Sequence, residues 1–563
     1  MGLWTRLRRA VAVFATAALA FALAAAGAWA SPTFTKLPAE MFQARYAPIA
    51  ASLPSGEVLI AGGYNESAKF MKSAELFDPT TSTFKKLTGE MAVARDEFAS
   101  ATLTDGKVLL VGGYNAKTLK SAELFDPATG TFEALSATMS FERDGPGAAR
   151  LPDGRVLIVG GVREGGEYLT TADLYNPATR AFETLSTETV AGRYEPTVSA
   201  LPSGKVLIAG GEGKSGKSLT STELFNPATG TFEPGSHELN EARREAGSAT
   251  LQNGEVLIVG GYNGKDMQTG ELFDPETSAF EKLSTELTEP RTGPAAVTLP
   301  NGRVLIVGGY NESAPASALN LKTAEESSVN APTATTAAAA GVGVNGATLG
   351  GTALTEAAAT TYFQYGASTA YGAATPGQSV GGSRSAQSLA AAVSGLAPGT
   401  TYHFRMVAEN AGGTSYGADQ TFTTLPGVPT VTGASQMHRS WREGSALATL
   451  ARKRAPLGTS FSFTLNQPAT VSFAFTQPAS GRKVGHSCVA EKKTNRRKRR
   501  CVRTLTRGTL SFAGHAGLNT LSFQGRLSHT KKLRPGIYTV VILATNSAGQ
   551  RSTPVRLSFT IVG

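Results

Sequence analysis

Three landmarks recur at locked spacing through residues 33–320, and few folds can accommodate them. A Gly-Gly pair closes an apolar run at Gly62-Gly63, Gly112-Gly113, Gly160-Gly161, Gly210-Gly211, Gly260-Gly261 and Gly308-Gly309. A Phe follows a turn signal at Phe34, Phe84, Phe132, Phe182, Phe232 and Phe280, each 29 positions before the second Gly of the next pair. An Arg stands 18 positions before each second Gly, at Arg45, Arg95, Arg143, Arg193, Arg243 and Arg291. The period is 48 to 50 residues. Six strand-like units of that length predict a radial array of small sheets.

Residues 194–234 show what one unit contains. Residues 196–201 are apolar and β-prone, and 202–204 read as a turn. Residues 206–209 form a continuous apolar run, the pattern of a strand covered on both faces. Residues 221–225 alternate polar and apolar, Asn226-Pro227 opens a turn, and Thr231 begins a fourth strand. A lone four-stranded unit cannot bury both faces, so neighbours must stack into a closed ring. Residues 33–37 match the fourth strand of the other repeats, whereas the last repeat has a third strand expected near 316–320 and no fourth. The first strand is therefore expected to complete the last blade and leave no open edge.

This pattern resembles the kelch β-propeller family over about half the chain, with Phe where many kelch repeats carry Trp. The run Leu-Pro-x-Gly-x-Val-Leu-Ile-x-Gly-Gly, as at 201–211, is also similar to bacterial propellers related to galactose oxidase. The resemblance implies a scaffold, and a scaffold does not supply a function.

The expected fold class is all-β: a six-bladed β-propeller at 31–325, followed by two β-sandwich domains. Residues 1–30 read as a secretory signal peptide. Arg6, Arg8 and Arg9 precede an apolar stretch, and Ala28-Trp29-Ala30 is a cleavage pattern. Retention of that stretch as an anchor is the alternative. Residues 332–425 resemble a fibronectin type III module: Leu396, Pro398, Thr400 and Tyr402 carry its corner pattern, and Tyr402, Phe404, Met406 and Ala408 alternate inward. Residues 430–563 resemble an immunoglobulin-like module, with Phe461, Phe463 and Leu465 alternating and Val471, Phe473 and Phe475 repeating the pattern. The chain's two cysteines, Cys488 and Cys501, read as one disulfide in an exported protein.

Charge divides the chain. Residues 31–325 hold 26 Lys and Arg against 37 Asp and Glu, a net of −11, whereas 430–563 hold 22 against 2, a net of +20. Lys492, Lys493, Arg496, Arg497, Lys498, Arg499 and Arg500 lie inside the loop that the cysteines would close. Attraction to an anionic cell-wall polymer or membrane surface is one reading, and a solvated hairpin is the other. Specific nucleic-acid binding is not expected, since no aromatic residue interleaves with the charges.

The search for chemistry returns little. The propeller holds one His, His237, and no Cys. That composition rejects a copper radical site, which needs several His and Tyr ligands and a Cys cross-linked to Tyr. No cofactor, metal set or catalytic residue is expected. The six arginines admit two readings, a ring that holds an acidic ligand or structural ion pairs. Pairing is favoured because Glu75, Glu123, Asp173, Glu223 and Glu271 recur 10 or 12 positions after a Gly pair. Connections after the Gly pairs carry Tyr64-Asn65, Tyr114-Asn115, Tyr262-Asn263 and Tyr310-Asn311, suited either to sugar or peptide contact or to packing and turn formation. The expected function is a secreted, non-enzymatic binding or adhesion protein. Its propeller would take an extracellular glycan or protein, and its basic module would contact the cell surface. The alternative is a secreted, metal-free lyase or epimerase acting on carbohydrate.

Overall fold

The computed structural model describes residues 30–444, 449–450 and 458–562. The signal assigned to 1–30 falls, except for Ala30, outside the described residues. Every regular element among the described residues is a β-strand.

Six four-stranded antiparallel sheets occupy residues 34–327. Blade 1 runs Ile49–Ser52, Val58–Ala61, Ala74–Asp78 and Thr83–Lys86, from the axis outward. Blades 2 to 6 repeat this order from inner strands Ala99–Thr102, Gly147–Arg150, Thr197–Ala200, Gly247–Thr250 and Ala295–Thr298. Each inner strand touches the next, and Ala295–Thr298 returns to Ile49–Ser52, so the ring is closed. The second strand of every blade is buried at all four positions, since neighbouring blades cover both its faces.

The recurrent Phe has a packing cause. On the outer strand it meets an aromatic residue of the third strand, with ring centroids 4.8 to 5.0 Å apart in Phe77–Phe84, Phe125–Phe132, Tyr175–Phe182, Phe225–Phe232 and Phe273–Phe280. Blade 6 departs from this, because its outer strand is Phe34–Lys36, paired antiparallel with Ala324–Ser327. Phe34 there stands opposite Ser327. The third strand of blade 6 lies at 324–327 rather than near 316–320. The preceding connection folds on itself, with Asn311 N–H donating to Leu319 O and Ala318 N–H to Pro315 O. The propeller therefore extends two residues past 325.

Two β-sandwiches follow. The first packs Thr333–Ala340, Gly346–Thr355 and Ser383–Ser394 against a sheet centred on Ala359–Gly366 and Thr401–Asn410. Phe404, Met406 and Ala408 are fully buried, and Ala397 N–H donates to the Tyr402 hydroxyl at 2.9 Å. The second buries Phe461, Phe463, Val471, Phe473 and Phe475 between its sheets. There Tyr538 Oη donates to Arg534 O at 2.8 Å, so both sandwiches carry a tyrosine hydrogen-bonded to nearby backbone. Arg384 of the first sandwich pairs with Glu255 and Asp274 of blade 5.

Candidate functional site

The locked spacing of Arg and Gly-Gly is a hydrogen-bond circuit. Each arginine's Nη1 donates to the carbonyl of the first Gly of its own repeat at 2.7 to 3.0 Å. The second Gly N–H donates to the carbonyl of the next repeat's arginine, and Gly309 closes the circuit on Arg45. A Cβ on Gly62 would stand 2.6 Å from Arg95 O, and φ there is +67°, so this position requires glycine. Each guanidinium also meets a carboxylate of the third strand, Glu75, Glu123, Asp173, Glu223, Glu271 and, in blade 6, Glu325, and Arg243 and Arg291 meet a second, Glu241 and Glu289. Five of these acids are the ones read from the sequence. Glu325 escaped that reading because it comes 16 positions after its Gly pair. The arginines are at most 2% exposed, so Arg45, Arg95, Arg143, Arg193, Arg243 and Arg291 are out of reach of a ligand. Burial lowers the pKa of Arg45, Arg95, Arg143 and Arg243, and their carboxylate partners oppose it.

The residues immediately after each arginine face the propeller axis. Ala47, Glu97, Gly145, Glu195, Glu245 and Gly293, two positions on, all have φ between 48° and 63°. Five of their N–H groups donate to the equivalent carbonyl of an adjacent repeat, as Glu195 does to Gly145 at 2.9 Å. This left-handed backbone costs roughly 1–2 kcal/mol at a residue with a Cβ. Three glutamates adopt it, and their side chains converge across the ring. Tyr46 Oη donates to Glu245 Oε2 at 2.5 Å and lies 3.3 Å from Glu97 Oε1. Tyr194 Oη donates to the other oxygen of Glu97. Asp96 and Asp144 flank the group.

Burial dominates the acidity of this cluster. It pushes the Asp96 carboxyl up to about 8, helped by repulsion from Glu97. Asp144 rises to about 9 and Glu245 to about 7, again through burial and then the charge of Glu97. Glu195 is pushed well up by burial and by Glu245. Asp96 Oδ1 and Glu195 Oε2 are buried without a hydrogen-bond partner. Among the described residues, no group of three or more His, Cys, Asp or Glu is arranged to hold a metal ion.

Above this cluster opens a funnel of about 400 Å³. Tyr64, Tyr262 and Tyr310 line it, from the adjacent blades 1, 5 and 6, with Tyr46, Arg244 and Glu245 at its base. Isolated bridges Tyr46↔Tyr64, Arg244↔Tyr262 and Thr292↔Tyr310 tie the axial residues to the tyrosine connections. Tyr114 does not line the funnel; it packs on Phe70 at 5.5 Å. Asn65 and Asn311 are buried in their own turns, where Asn65 Oδ1 accepts Ala68 N–H at 2.7 Å and Asn311 Oδ1 accepts Ser313 N–H at 2.9 Å. Asn115 and Asn263 lie outside the funnel lining as well. Sequence reading missed Tyr46, Arg244 and Glu245. The available signal was registration: they follow the recurrent Arg directly, where the six repeats differ most in charge.

The second candidate lies in the last sandwich. Strand Ala469–Val484 pairs with Gly536–Thr545 only as far as Thr476, then continues as an arm paired with Arg500–Gly514. The arm extends roughly 25 Å at about 3.3 Å per residue. Strand Ser487–Val489 pairs on its other side, and the disulfide Cys488–Cys501 joins the two flanking strands across Gly481. A Cβ on Gly481 would meet Cys488 Sγ at 2.9 Å, so the strand beneath the bridge must be bare there. Lys492, Lys493, Arg496, Arg497, Lys498, Arg499 and Arg500 are all exposed. Glu491 compensates Arg482 at 2.8 Å and Arg496 at 3.2 Å. His237 is exposed on a propeller loop beside Ser236.

The Kelch motif model matches residues 98–138 and 243–285. No curated protein matches the chain. Two solved structures are similar in outline. One is YjhT, 15% identical over 52% of this chain and 95% of that one, with a TM-score of 0.42. The other is a fungal alcohol oxidase of the AA5 family in complex with copper, 14% identical over 70% of this chain and 98% of that one, with a TM-score of 0.41. Neither likeness is close enough to bear on chemistry. The matched motifs and the six radial blades together support a kelch-type β-propeller followed by β-sandwich domains.

Proposed function

We propose that this is a secreted binding protein whose propeller takes an extracellular glycan or protein ligand in the axial funnel. The observation that carries this reading is the funnel itself, where four tyrosines and several charged groups converge on about 400 Å³ at one face. Tyrosine offers a flat apolar face and a polar tip, which suits sugar rings and peptide groups. The first sandwich meets blade 5 at its hairpin-turn end, through Glu255, and so leaves the funnel face open. In this reading that sandwich, with its fibronectin type III-like corner, is a spacer. The basic immunoglobulin-like module contacts anionic cell-wall polymer or membrane. Binding to a glycan and cell-surface array, lost when Tyr262 and Tyr310 are both replaced by Ala, is the expected result. Equal binding by the variant would move the site elsewhere.

The second reading is a metal-free lyase or epimerase acting on carbohydrate. It is favoured by Glu245, whose carboxyl sits near 7 and is hydrogen-bonded to Tyr46 in the funnel base. A group poised there can accept or donate a proton at neutral pH. Turnover of a sugar panel that disappears in Glu245→Gln would establish the enzyme.

A further inference from the structure

The funnel is far richer in acid than its tyrosines alone would require. Glu66, Glu245, Asp266 and Glu312 line it, Glu66 already paired with Lys69 at 3.0 Å, and Arg244 is its single guanidinium. That guanidinium is already engaged. It pairs with Glu212, reaches Glu245 at 3.5 Å, and lies over the Tyr262 ring at 5.0 Å. Asp266 accepts from the Thr292 hydroxyl at 2.6 Å and from Glu312 N–H at 2.5 Å, both neutral donors. Glu195 is in electrostatic contact with Glu245; it is 9% exposed, and its Oε2 has no partner. The wall is therefore aromatic and the lining acidic, with Glu195 buried behind Glu245.

Aromatic faces and carboxylates attract the same kind of ligand group. Ring quadrupoles favour a cation at their face, and carboxylates favour one that can donate hydrogen bonds. An anionic ligand would meet repulsion from three sides. A neutral sugar would satisfy the tyrosines and leave the acids uncompensated.

We propose that the funnel selects a ligand bearing a protonated primary amine, seated between the tyrosine rings and Glu245, Asp266 and Glu312. The amine belongs to an amino sugar or to a lysine side chain, which share the same ammonium chemistry. This rests on the funnel being the ligand site and adds the class of ligand it takes.

The test is calorimetric titration of the intact protein at pH 7.5, where Glu245 is mostly ionised, with glucosamine, N-acetylglucosamine, glucose and Nα-acetyl-lysine amide. The expected result is at least tenfold tighter binding of an amine-bearing probe than of glucose or N-acetylglucosamine. Glucosamine or the lysine amide as the tighter probe distinguishes the two sources. Glu245→Gln should erase that preference. Glu312→Gln, on the exposed rim, should weaken it severalfold without risk to folding. Affinity for both amine-bearing probes no greater than for glucose would overturn the amine inference and leave the funnel as a sugar site. Binding by none of the probes would overturn the inference and count against the funnel reading as well. Tightest binding of N-acetylglucosamine would overturn it too, since acetylation removes the charge.

Discussion

A guanidinium taken out of water is tolerated only where every donor finds an acceptor and a carboxylate balances its charge. Six arginines come close to that condition: each guanidinium holds a glycine carbonyl and at least one acid, although Arg95 Nε and Arg243 Nε are left without an acceptor, and each arginine's own carbonyl takes a glycine N–H of the preceding blade, which makes them joints between blades. Asp173→Asn would leave Arg143, fully buried, without its counter-charge. The expected loss is about 3–5 kcal/mol, read as a lower midpoint in urea unfolding. An unchanged midpoint would mean that the carbonyl contacts suffice. The axial acids make a different prediction, in pH. Asp96, Asp144 and Glu245 are raised in the folded state to about 8, 9 and 7. The folded protein thus holds protons that the unfolded chain releases near pH 4. Their contribution to stability is full at low pH and is lost as pH rises through 7 to 9. Around them stand Glu97, Glu195, Tyr46, Tyr194 and Arg244; the charge of Arg244 and the hydrogen bonds of Tyr46 and Glu195 to Glu245 oppose the trend without reversing it. The melting temperature is expected to rise as pH falls from 9 to 5, and Asp144→Asn should flatten that slope. A slope identical in the variant would assign it to other groups.

At the scale of elements, the strand that matters most is three residues long. Phe34–Lys36 covers the outer edge of Ala324–Ser327 and joins chain segments nearly 300 positions apart. Its backbone pairing is supported by Phe34, which packs into the core beside Leu257, Val304 and Ile306. Deletion of residues 31–37 should lower the melting temperature markedly and promote aggregation through the bared edge. A melt like that of the intact protein, with no increase in light scattering, would show that the other five blades hold the ring without it.

At the scale of the whole molecule, opposite charges are segregated: −11 on residues 31–325 and +20 on 430–563. The positive charge is concentrated on an arm that leaves the body of its sandwich, so contact with a polymer does not require the propeller to approach. Exposed charges are screened over roughly 10 Å at 0.1 M salt. Retention on anionic cell-wall material should therefore fall steeply with ionic strength. Replacing Arg496, Arg497, Lys498, Arg499 and Arg500 with Ser should remove most of it without altering the melt, since none of these side chains enters the core. Equal retention of the substituted protein would reduce the arm to a solubility feature.

The blades were legible in the amino-acid sequence because each repeat must satisfy the same local physics: a strand buried on both faces, a glycine pair with positive φ and an outer-strand Phe, which five of the six blades pair with a second aromatic ring. Repetition six times over turns weak signals into a count, a register and a ring. The arm's charge and its disulfide were legible for the same reason, since run length and cysteine number are properties of the chain. The funnel was not. Tyr46, Arg244 and Glu245 come from repeats far apart in sequence, at two positions whose residues vary from blade to blade, so repetition conceals them. Only closure of the ring brings residue 46 within 2.5 Å of residue 245. Closure likewise decides that the arginines are buried while their immediate neighbours face the axis. Local pattern determines which strands form. Which side chains share the low-dielectric centre of the ring is a long-range property, set when the last blade meets the first.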